Sequence, residues 1–428
     1  MANKTTSNPT IKLEKRDKRL LARHVRVSND TRKTGLNNND MIVGPTGSGK
    51  TRGYVMPLLA ESTESMIISD TKGNLYDKYS SALSARGYKV IKLDLVQGKD
   101  SAAYNPMDFI RYDQSSRRYN ENDIRTLAGM LLPTPEASID PFWTDSARIV
   151  LESLIAYTFE ATPADSHHFG TVIELFKAWD PDIYSKLFSE LEALDPESFA
   201  ASRFAMYKNI WKADRTAACI RQFVAQALSC FDGIQTGKIF FKRTGFSFRE
   251  MGNRKTALFL NISDTDHSRD SLVNIFYSQA LHQLILTADS SPDSHLKVPV
   301  RIIFDDFAAG TMIPNFDKII SVIRSREISV SLILQSISQL ESLYSHSKAM
   351  TIINNCDHLL YLGGTDVETA DYISTKADVR SATILNLSLT DCLLFERGYE
   401  NGVLHVERAD IDDLTEEAHF NCDIDDQK

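Results

Sequence analysis

The chain has 428 residues, of which 42% are hydrophobic and 25% are charged, and its formal net charge is −9 at pH 7. This hydrophobic fraction supports a packed core, while no apolar run reaches the roughly 18–20 residues that span a bilayer. Five cysteines without a C-x-x-C pair indicate a reducing compartment. We therefore expect a soluble, cytoplasmic protein and exclude a disulfide-stapled secreted one.

The charge is unevenly distributed along the chain. Residues 1–35 contain ten lysines and arginines but three acids, whereas residues 407–428 contain nine acids and two bases. Because the overall field repels phosphate, a nucleic acid would have to be held locally, by the basic arm or by a lined channel. A solvated, partly helical tail explains the arm equally well, and disorder is the simplest explanation of the acidic end.

Short apolar runs alternate with helical segments in the first part of the chain. Strands are predicted at 41–43, 66–70 and 88–95, with a helix from about Lys50 and another after the second strand. This rhythm is typical of βαβ units with parallel strands. From about 116 to 240 the pattern becomes helical and is divided by prolines, which predicts an all-α domain.

The strand pattern returns after the helical region. We predict strands at 256–262, 300–304, 328–334 and 358–362, a helix over 271–287, an amphipathic helix in which Phe316, Ile319, Ile320 and Ile323 share a face, and a last β pair near 392–396 and 402–407. The predicted fold is therefore α/β, a mostly parallel sheet with an inserted all-α domain. Its predicted parts are a basic arm (1–35), an α/β core (36–115 and 240–408), the all-α domain (116–239) and an acidic tail (409–428).

A glycine-rich segment between the first strand and the first helix fits the pattern G-x-x-x-x-G-K-[ST]. Glycines there let backbone N–H groups turn inward around phosphates, and the helix N-terminus adds positive potential. The lysine of the pattern reaches the β- and γ-phosphates, and the hydroxyl that follows it ligates Mg²⁺. The segment predicts binding of ATP and Mg²⁺ by Gly44, Pro45, Thr46, Gly47, Ser48, Gly49, Lys50 and Thr51.

Two consecutive aspartates follow the strand at 300–304. We expect Asp305 to hold Mg²⁺ together with Thr51, and Asp306 to polarise the attacking water. We further expect the glycine turn and the aspartate pair to meet across adjoining strands. A helix-capping acidic surface is the simpler alternative for such a pair.

Two other polar positions flank the strand at 328–334. Gln335 ends that strand, where it would contact the γ-phosphate or act simply as a satisfied strand-end amide. Arg324, with Arg326 beside it, precedes the strand. Its guanidinium suits an arginine finger that reaches the γ-phosphate of a neighbouring subunit, although arginines also complement a helix dipole.

Aromatic and basic residues alternate within 207–215. Tyr207, Lys208, Trp211, Lys212 and Arg215 would stack and clamp single-stranded nucleic acid, or form the solvated face of an amphipathic helix.

Taken in order, these motifs resemble the TraG-type coupling proteins of conjugative type IV secretion systems. The resemblance covers most of residues 36–408. Besides the glycine-rich loop, it rests on Ser-Asp-Thr-Lys-Gly at 69–73, Tyr-Asn-Pro at 104–106, Asp-Pro-Phe-Trp at 140–143, Ser-Asp-Thr-Asp at 263–266, Phe-Ala at 307–308, Ile-Arg-Ser-Arg-Glu-Ile at 323–328 and Gln-Ser-Ile-Ser-Gln-Leu at 335–340.

The resemblance implies a RecA-like P-loop nucleotide-binding domain with an inserted all-α domain, acting as a hexameric ATPase. Its partners would be single-stranded DNA, a relaxase or relaxosome proteins, and the secretion channel. Family members usually begin with transmembrane helices, which this sequence lacks, so a separate membrane protein would anchor it peripherally at the cytoplasmic face. Asp306 stands where the family usually has glutamate, and Thr71 where it has proline.

Three functions follow from these features. The first is an ATP-driven coupling protein that recruits relaxase-bound single-stranded DNA and drives or gates its transfer. The second is a nucleotide-gated substrate receptor with little ATP turnover, which the shorter Asp306 side chain favours. A third, a motor for double-stranded DNA, is disfavoured by the motifs at 140–143 and 335–340.

Overall fold

The computed structural model describes residues 18–133, 140–208, 214–233, 236–307, 312–400 and 402–414. Its strands are β1 Lys18–Ala22, β2 Val25–Ser28, β3 Asp40–Val43, β4 Ser65–Asp70, β5 Lys89–Asp94, β6 Tyr112–Asp113, β7 Arg118–Tyr119, β8 Thr256–Asn261, β9 Val300–Phe304, β10 Ile328–Leu334, β11 His358–Tyr361, β12 Asp391–Glu396 and β13 Leu404–Glu407. Each strand that the apolar runs predicted is present, with bounds shifted by a few residues at most.

The helices lie mainly between these strands. They are α1 Thr31–Thr34, α2 Met56–Glu61, α3 Asn74–Ala85, α4 Glu121–Leu131, α5 Phe142–Ala161, α6 Phe169–Lys177, α7 Pro181–Leu194, α8 Phe199–Lys208, α9 Asp214–Leu228, α10 Thr236–Phe240, α11 Phe248–Met251, α12 Asp270–Asp289, α13 Phe316–Ile319, α14 Ile337–Asn354, α15 Val367–Ala377 and α16 Ser381–Leu385. A π-helical turn, Thr51–Val55, leads into α2. The amphipathic helix predicted around Phe316 is a single turn, α13, although Phe316, Ile320 and Ile323 are buried as the pattern requires.

Nine of these strands form one sheet, in the order β13-β12-β11-β3-β10-β9-β4-β8-β5. The pairs from β11 to β5 are all parallel, whereas β12 and β13 are antiparallel at one edge. The mostly parallel sheet predicted from the sequence is therefore confirmed. Strand β10 lies between β3 and β9, so β3 and β9 are not neighbours.

Alternate residues of each strand pack on opposite faces of the sheet. Ile42 of β3 joins a cluster formed with α2, α3 and the β1–β2 hairpin. Met41 and Val43 face the other side, where α12, α14 and α15 cover the sheet. Because both faces are covered, the central strands are buried and mostly apolar, as expected of parallel strands between two layers.

Between β7 and β8, the described residues contain the helices α4 to α11 and no strand. Its buried side chains, centred on α5, belong to the same hydrophobic cluster as the α12 face of the sheet. The limits 116–239 for a separate all-α domain remain a prediction. In the part of the chain that the structure describes, no helix has the length and apolarity needed to cross a bilayer.

The basic N-terminal arm is not a solvated tail where the structure describes it. Residues 18–28 form the antiparallel β1–β2 hairpin, and Leu20, Leu21 and Ala22 are almost completely buried. Arg19 is buried as well, because it pairs with Asp40 at 2.6 Å. The alternative of a solvated, partly helical tail is therefore wrong for residues 18–28, and residues 1–17 lie outside the described residues.

Asp40, the first residue of β3, lies at the centre of a buried ion cluster. It accepts hydrogen bonds from Arg19, from Arg301 of β9 at 3.2 Å and from the Tyr54 hydroxyl at 2.6 Å. Arg301 also contacts Glu64 at 2.8 Å. Burial opposes the charge of Asp40, but the two guanidinium groups and the bond to His358 outweigh it and hold the pKa of this carboxyl far below its usual value.

We predict that Asp40→Asn lowers the free energy of unfolding by about 3–5 kcal/mol, because both arginines stay buried with less counter-charge. Since the pKa of Asp40 is lower in the folded state, its contribution is present above pH about 4 and is lost as pH falls further. Urea titrations at neutral and acidic pH measure both effects.

Asp357→Asn is the matched control, because Asp357 is also buried but its partner Arg397 has a side chain that is 58% exposed. Water can solvate that arginine, so we expect a smaller loss. Equal losses in the two variants would contradict the role given to the Asp40 cluster.

Candidate nucleotide-binding site

The glycine-rich loop leaves the carboxyl end of β3 and ends in the π-helical turn before α2. The Gly44 N–H donates to the Leu334 carbonyl of β10 at 3.1 Å, which fixes the start of the loop against the neighbouring strand. Gly47 and Gly49 have φ values of +82° and +87°, a region that glycine enters without strain. A Cβ built on either glycine would meet nothing within 4 Å, so the loop surrounds open space.

The polar groups of the loop suit a phosphate. Lys50 Nζ donates to the carbonyls of Gly44 and, at 2.9 Å, of Pro45, so the ammonium lies over the loop itself. The Ser48 hydroxyl is buried without a hydrogen-bond partner. Buried hydroxyls are normally satisfied, and an unsatisfied one inside an anion-binding loop fits a site built for a ligand.

Thr51 and Asp305 meet although they are 254 residues apart in sequence. The Thr51 hydroxyl donates to a carboxylate oxygen of Asp305 at 3.3 Å. The expectation that they meet across adjoining strands is wrong, because β10 separates β3 from β9. The contact forms all the same, since parallel strands present their carboxyl ends at one edge of the sheet and the loop extends across β10.

Two carboxylates and one ammonium leave the site with excess negative charge. Burial raises the pKa of Asp305 and the neighbouring Asp306 raises it further, whereas the Thr51 hydroxyl and Lys50 oppose the increase. Burial lowers the pKa of Lys50 against the attraction of both aspartates. A divalent cation beside Asp305 would relieve this repulsion.

The donors suit magnesium in particular. Over the described ranges, no group of three or more His, Cys, Asp and Glu side chains is arranged to hold a metal ion. Mg²⁺ needs no such cage, because it takes one or two carboxylates together with phosphate oxygens and water. Thr51 and Asp305 therefore form the kind of partial site that a nucleotide phosphate completes.

Asp306 contacts Gln335. Its φ of +58° places the backbone in the left-handed region, and Gln335 Nε2 donates to its two carboxylate oxygens at 3.3 and 3.2 Å. The structure thus brings together Lys50, Thr51, Asp305, Asp306 and Gln335, as the sequence analysis expects. The role of each residue stays a prediction.

Arg324 does not join this group in its own chain. It lies in a 3₁₀ turn, Arg324–Arg326, before β10, whereas Gln335 follows the other end of that strand. Seven strand residues separate the two ends by about 20 Å. Arg324 is exposed and donates to the Thr31 carbonyl at 3.3 Å, while Arg326 pairs with Asp289 at 2.7 Å. A finger role for Arg324 therefore requires a second subunit.

The aromatic–basic stretch is only partly described. Tyr207 is 1% exposed and packs within the helical core against Trp179, so its ring is not available to stack on a base. Lys208 and Arg215 are exposed, and Trp211 and Lys212 lie outside the described residues. Of the two alternatives for this stretch, stacking on nucleic acid is therefore wrong for Tyr207, and the exposed Lys208 and Arg215 agree with a solvated basic face.

Two residues near the site were given no individual role by sequence reasoning. Asp70 ends β4 and adds to the raised pKa of Asp305; its position after an apolar strand is the same signal that identified Asp305. Arg408 donates to the Ser48 carbonyl at 3.2 Å. No local pattern marks Arg408, because the contact joins positions 360 residues apart.

Residues 4–382 match a protein family described as Type IV secretory system Conjugative DNA transfer. The chain belongs to this family. It is 23% identical over 365 residues to protein VirD4 of Rhizobium radiobacter, covering 85% of this chain and 51% of that protein. It is 22% identical over 389 residues to the conjugal transfer protein TraG of Escherichia coli, covering 82% and 59%. This member of the conjugative DNA-transfer family thus spans about half the length of its curated relatives.

Solved structures show the same fold. The unbound bacterial conjugative coupling protein TrwBdeltaN70 superposes with a TM-score of 0.68 at 17% identity, covering 91% of this chain and 88% of that one. The plasmid coupling protein TrwB in complex with ADP and Mg²⁺ gives a TM-score of 0.65 at 19% identity, covering 91% and 89%. The conjugative DNA-transfer family member described here therefore has a TrwB-like fold, in agreement with the RecA-like architecture that the resemblance implies.

Proposed function

We propose that this chain is an ATP-dependent coupling protein that recruits relaxase-bound single-stranded DNA and drives or gates its transfer into a type IV secretion channel. The observation that carries the proposal is the contact between Thr51 and Asp305, beside Lys50, in a chain of the conjugative DNA-transfer family. A phosphate-binding loop and a strand-end carboxylate that converge in this way are what ATP-dependent work requires.

Each residue of the site has a distinct task in this proposal. Lys50 would exchange the loop carbonyls for the β- and γ-phosphates. Thr51 and Asp305 would hold Mg²⁺, whose charge would neutralise that of the phosphates. Asp306 orients the attacking water. Gln335, which contacts Asp306 in this structure, exchanges that partner for the γ-phosphate and so links hydrolysis to β10 and α14.

The proposed partners follow from the family rather than from a surface of this chain. They are single-stranded DNA, a relaxase or relaxosome protein, and a membrane protein of the channel that holds the chain at the cytoplasmic face. We propose a hexamer as the active form, because only a neighbouring subunit brings Arg324 to a nucleotide. An acidic exterior is compatible with DNA held in a lined central channel.

We predict that single-stranded DNA stimulates ATP hydrolysis by the wild-type chain and that Lys50→Ala lowers kcat by about 100-fold or more, because one phosphate-binding charge is lost. Phosphate release with and without DNA measures both effects. Lys186→Ala is the control, because Lys186 is exposed on α7 and lies in none of the motifs that form the site. Equal rates of ATP hydrolysis by the wild-type and Lys50→Ala chains, with no stimulation by DNA, would contradict the proposal.

A second candidate function is a nucleotide-gated receptor with little turnover. The side chain of Asp306 favours this second function. It is one methylene shorter than the glutamate usual in the family, and its carboxylate already accepts hydrogen bonds from Gln335. Such a receptor would bind nucleotide tightly and release product slowly, and ATP would set its conformation or assembly.

Two variants at one position separate the candidates. Asp306→Asn keeps the size and the tolerance of a left-handed backbone but removes the charge, so we expect hydrolysis to fall by about 10²–10⁴-fold while ADP affinity is retained. Asp306→Glu extends the carboxylate, and a several-fold rise in hydrolysis at unchanged DNA affinity would favour the receptor. Unchanged hydrolysis in Asp306→Asn would rule out a role for Asp306 in orienting water.

We predict that Arg324→Ala lowers kcat by about 10³-fold and that mixing it with Lys50→Ala chains restores part of the activity. A mixed interface combines the intact Lys50 of one chain with the intact Arg324 of the other, so one site is complete. Arg326→Ala is the control, because Arg326 pairs with Asp289 in its own chain. Activity that is not restored by mixing, or an equal loss in the control, would contradict action between subunits.

A further inference from the structure

Arg408 connects the glycine-rich loop to the edge of the sheet. It follows β13, beyond the residues matched by the family, and its guanidinium donates to three backbone carbonyls. These belong to Ser48 in the loop at 3.2 Å, to Leu362 after β11, and to Asp391 at the start of β12 at 2.9 Å. Each of its three nitrogens donates to a different carbonyl, an arrangement that suits a planar fork of N–H donors and that the single nitrogen of a lysine does not reproduce.

The residues after Arg408 continue along the π-helical turn that follows the loop. A Cβ added at Gly53 would approach the Ala409 carbonyl to 2.3 Å, so the two backbones are in close contact. Arg52 pairs with Asp410 at 2.5 Å and with Asp412 at 2.6 Å. These ion pairs are exposed and contribute little. The partly buried Arg408 is therefore the main polar anchor between this segment and the loop.

Because of the geometry of the peptide bond, the contact between Arg408 and the Ser48 carbonyl also orients the Gly49 N–H. A trans peptide is planar, so the Ser48 carbonyl and the Gly49 N–H point in opposite directions. Arg408, which also contacts Leu362 and Asp391, holds the carbonyl on the β11–β12 side of the loop, called here the outer side. The N–H is thereby directed to the inner side, toward β10 and β9. Gly49, at φ +87°, has no side chain that would resist rotation of this peptide, so an external anchor is needed to fix it.

We propose that Arg408 is a positioning residue that keeps the Ser48–Gly49 peptide oriented for the phosphates of a bound nucleoside di- or triphosphate. The inference rests on the proposed nucleotide binding and deepens it. When this peptide is already oriented, no part of the binding free energy is lost in rotating it, so nucleotide binds more tightly. The effect falls on binding, because Arg408 faces the outside of the loop and touches neither Asp306 nor Gln335.

A purely structural role is the alternative, since Arg408 also holds β11 and β12. The matched control is Arg397→Ala. Arg397 follows the other end of β12 and likewise anchors the sheet, through Asp357 at 2.6 Å and the Gly35 carbonyl at 3.0 Å, far from the loop. If Arg408 has only a structural role, Arg408→Ala and Arg397→Ala should change ADP binding equally. If Arg408 positions the peptide, only Arg408→Ala should weaken ADP binding.

The test is calorimetric titration of the full chain with ADP and Mg²⁺, combined with steady-state ATP hydrolysis. We expect Arg408→Ala to weaken ADP binding by roughly tenfold, as the loss of one directed hydrogen bond implies, and to raise KM for ATP with kcat within about twofold. Arg397→Ala should bind like the wild-type chain. Guanidinium ion, added far below denaturing concentrations, should restore part of the affinity of Arg408→Ala.

Three outcomes would overturn the inference. The first is that Arg408→Ala binds ADP as tightly as the wild-type chain. The second is that the Arg397→Ala control weakens ADP binding as much as Arg408→Ala does. If Arg408→Ala does not fold, Arg408→Lys replaces it, and the third outcome is that Arg408→Lys binds ADP as tightly as the wild-type chain. A wild-type chain that does not bind ADP at all would instead refute the proposed function, so the two failures are distinguishable.

Discussion

The candidate site depends on the ion pair between Asp40 and Arg301, which lies at the opposite end of the strands. Asp40 begins β3, which carries the glycine-rich loop, and Arg301 is the second residue of β9, which carries Asp305. Because β10 separates these strands, no backbone ladder sets β3 against β9 directly. The buried pair fixes that distance across β10. Removing either charge would leave the other buried with less counter-charge, because Asp40 would keep only Arg19 and Arg301 only Glu64. Arg19, Tyr54 and His358 extend the same cluster to the hairpin, to the turn before α2 and to β11.

The sequence predicts well those features that depend on local pattern. The apolar runs gave each central strand, and the glycine-rich motif gave the loop, because a buried parallel strand and a phosphate loop both impose constraints on neighbouring residues. Strand order is not local, which is why β3 and β9 were wrongly expected to adjoin. Arg19 and Arg301 were missed as core residues because charged side chains are buried only when a distant partner is present, and Asp40 is such a partner.

The candidate site also contains features that the sequence predicts and features that it does not. Motifs predict Lys50, Thr51 and Asp305, but they do not predict the backbone conformation of Asp306 or its contact with Gln335. Its left-handed backbone is a conformation in which aspartate and asparagine are several-fold enriched, so the shorter acid suits the turn it occupies. The departure from glutamate and the contact with Gln335 are thus parts of one local arrangement. A substitution that looks like a lost catalytic residue in the sequence is, in the structure, matched to its backbone.

The two sides of the loop are controlled by different parts of the sheet. On the inner side, β10 and β9 supply Gln335, Asp306 and Asp305, the groups that would act on a phosphate. On the outer side, the antiparallel edge beyond β11 supplies Arg408, which holds the Ser48 carbonyl. The inner strands are buried on both faces, whereas β13 is an edge strand whose side chains are half-buried or exposed. A change at that edge would therefore reach the loop through the Ser48 peptide and through the Gly53–Ala409 contact, on the side of the loop away from the carboxylates.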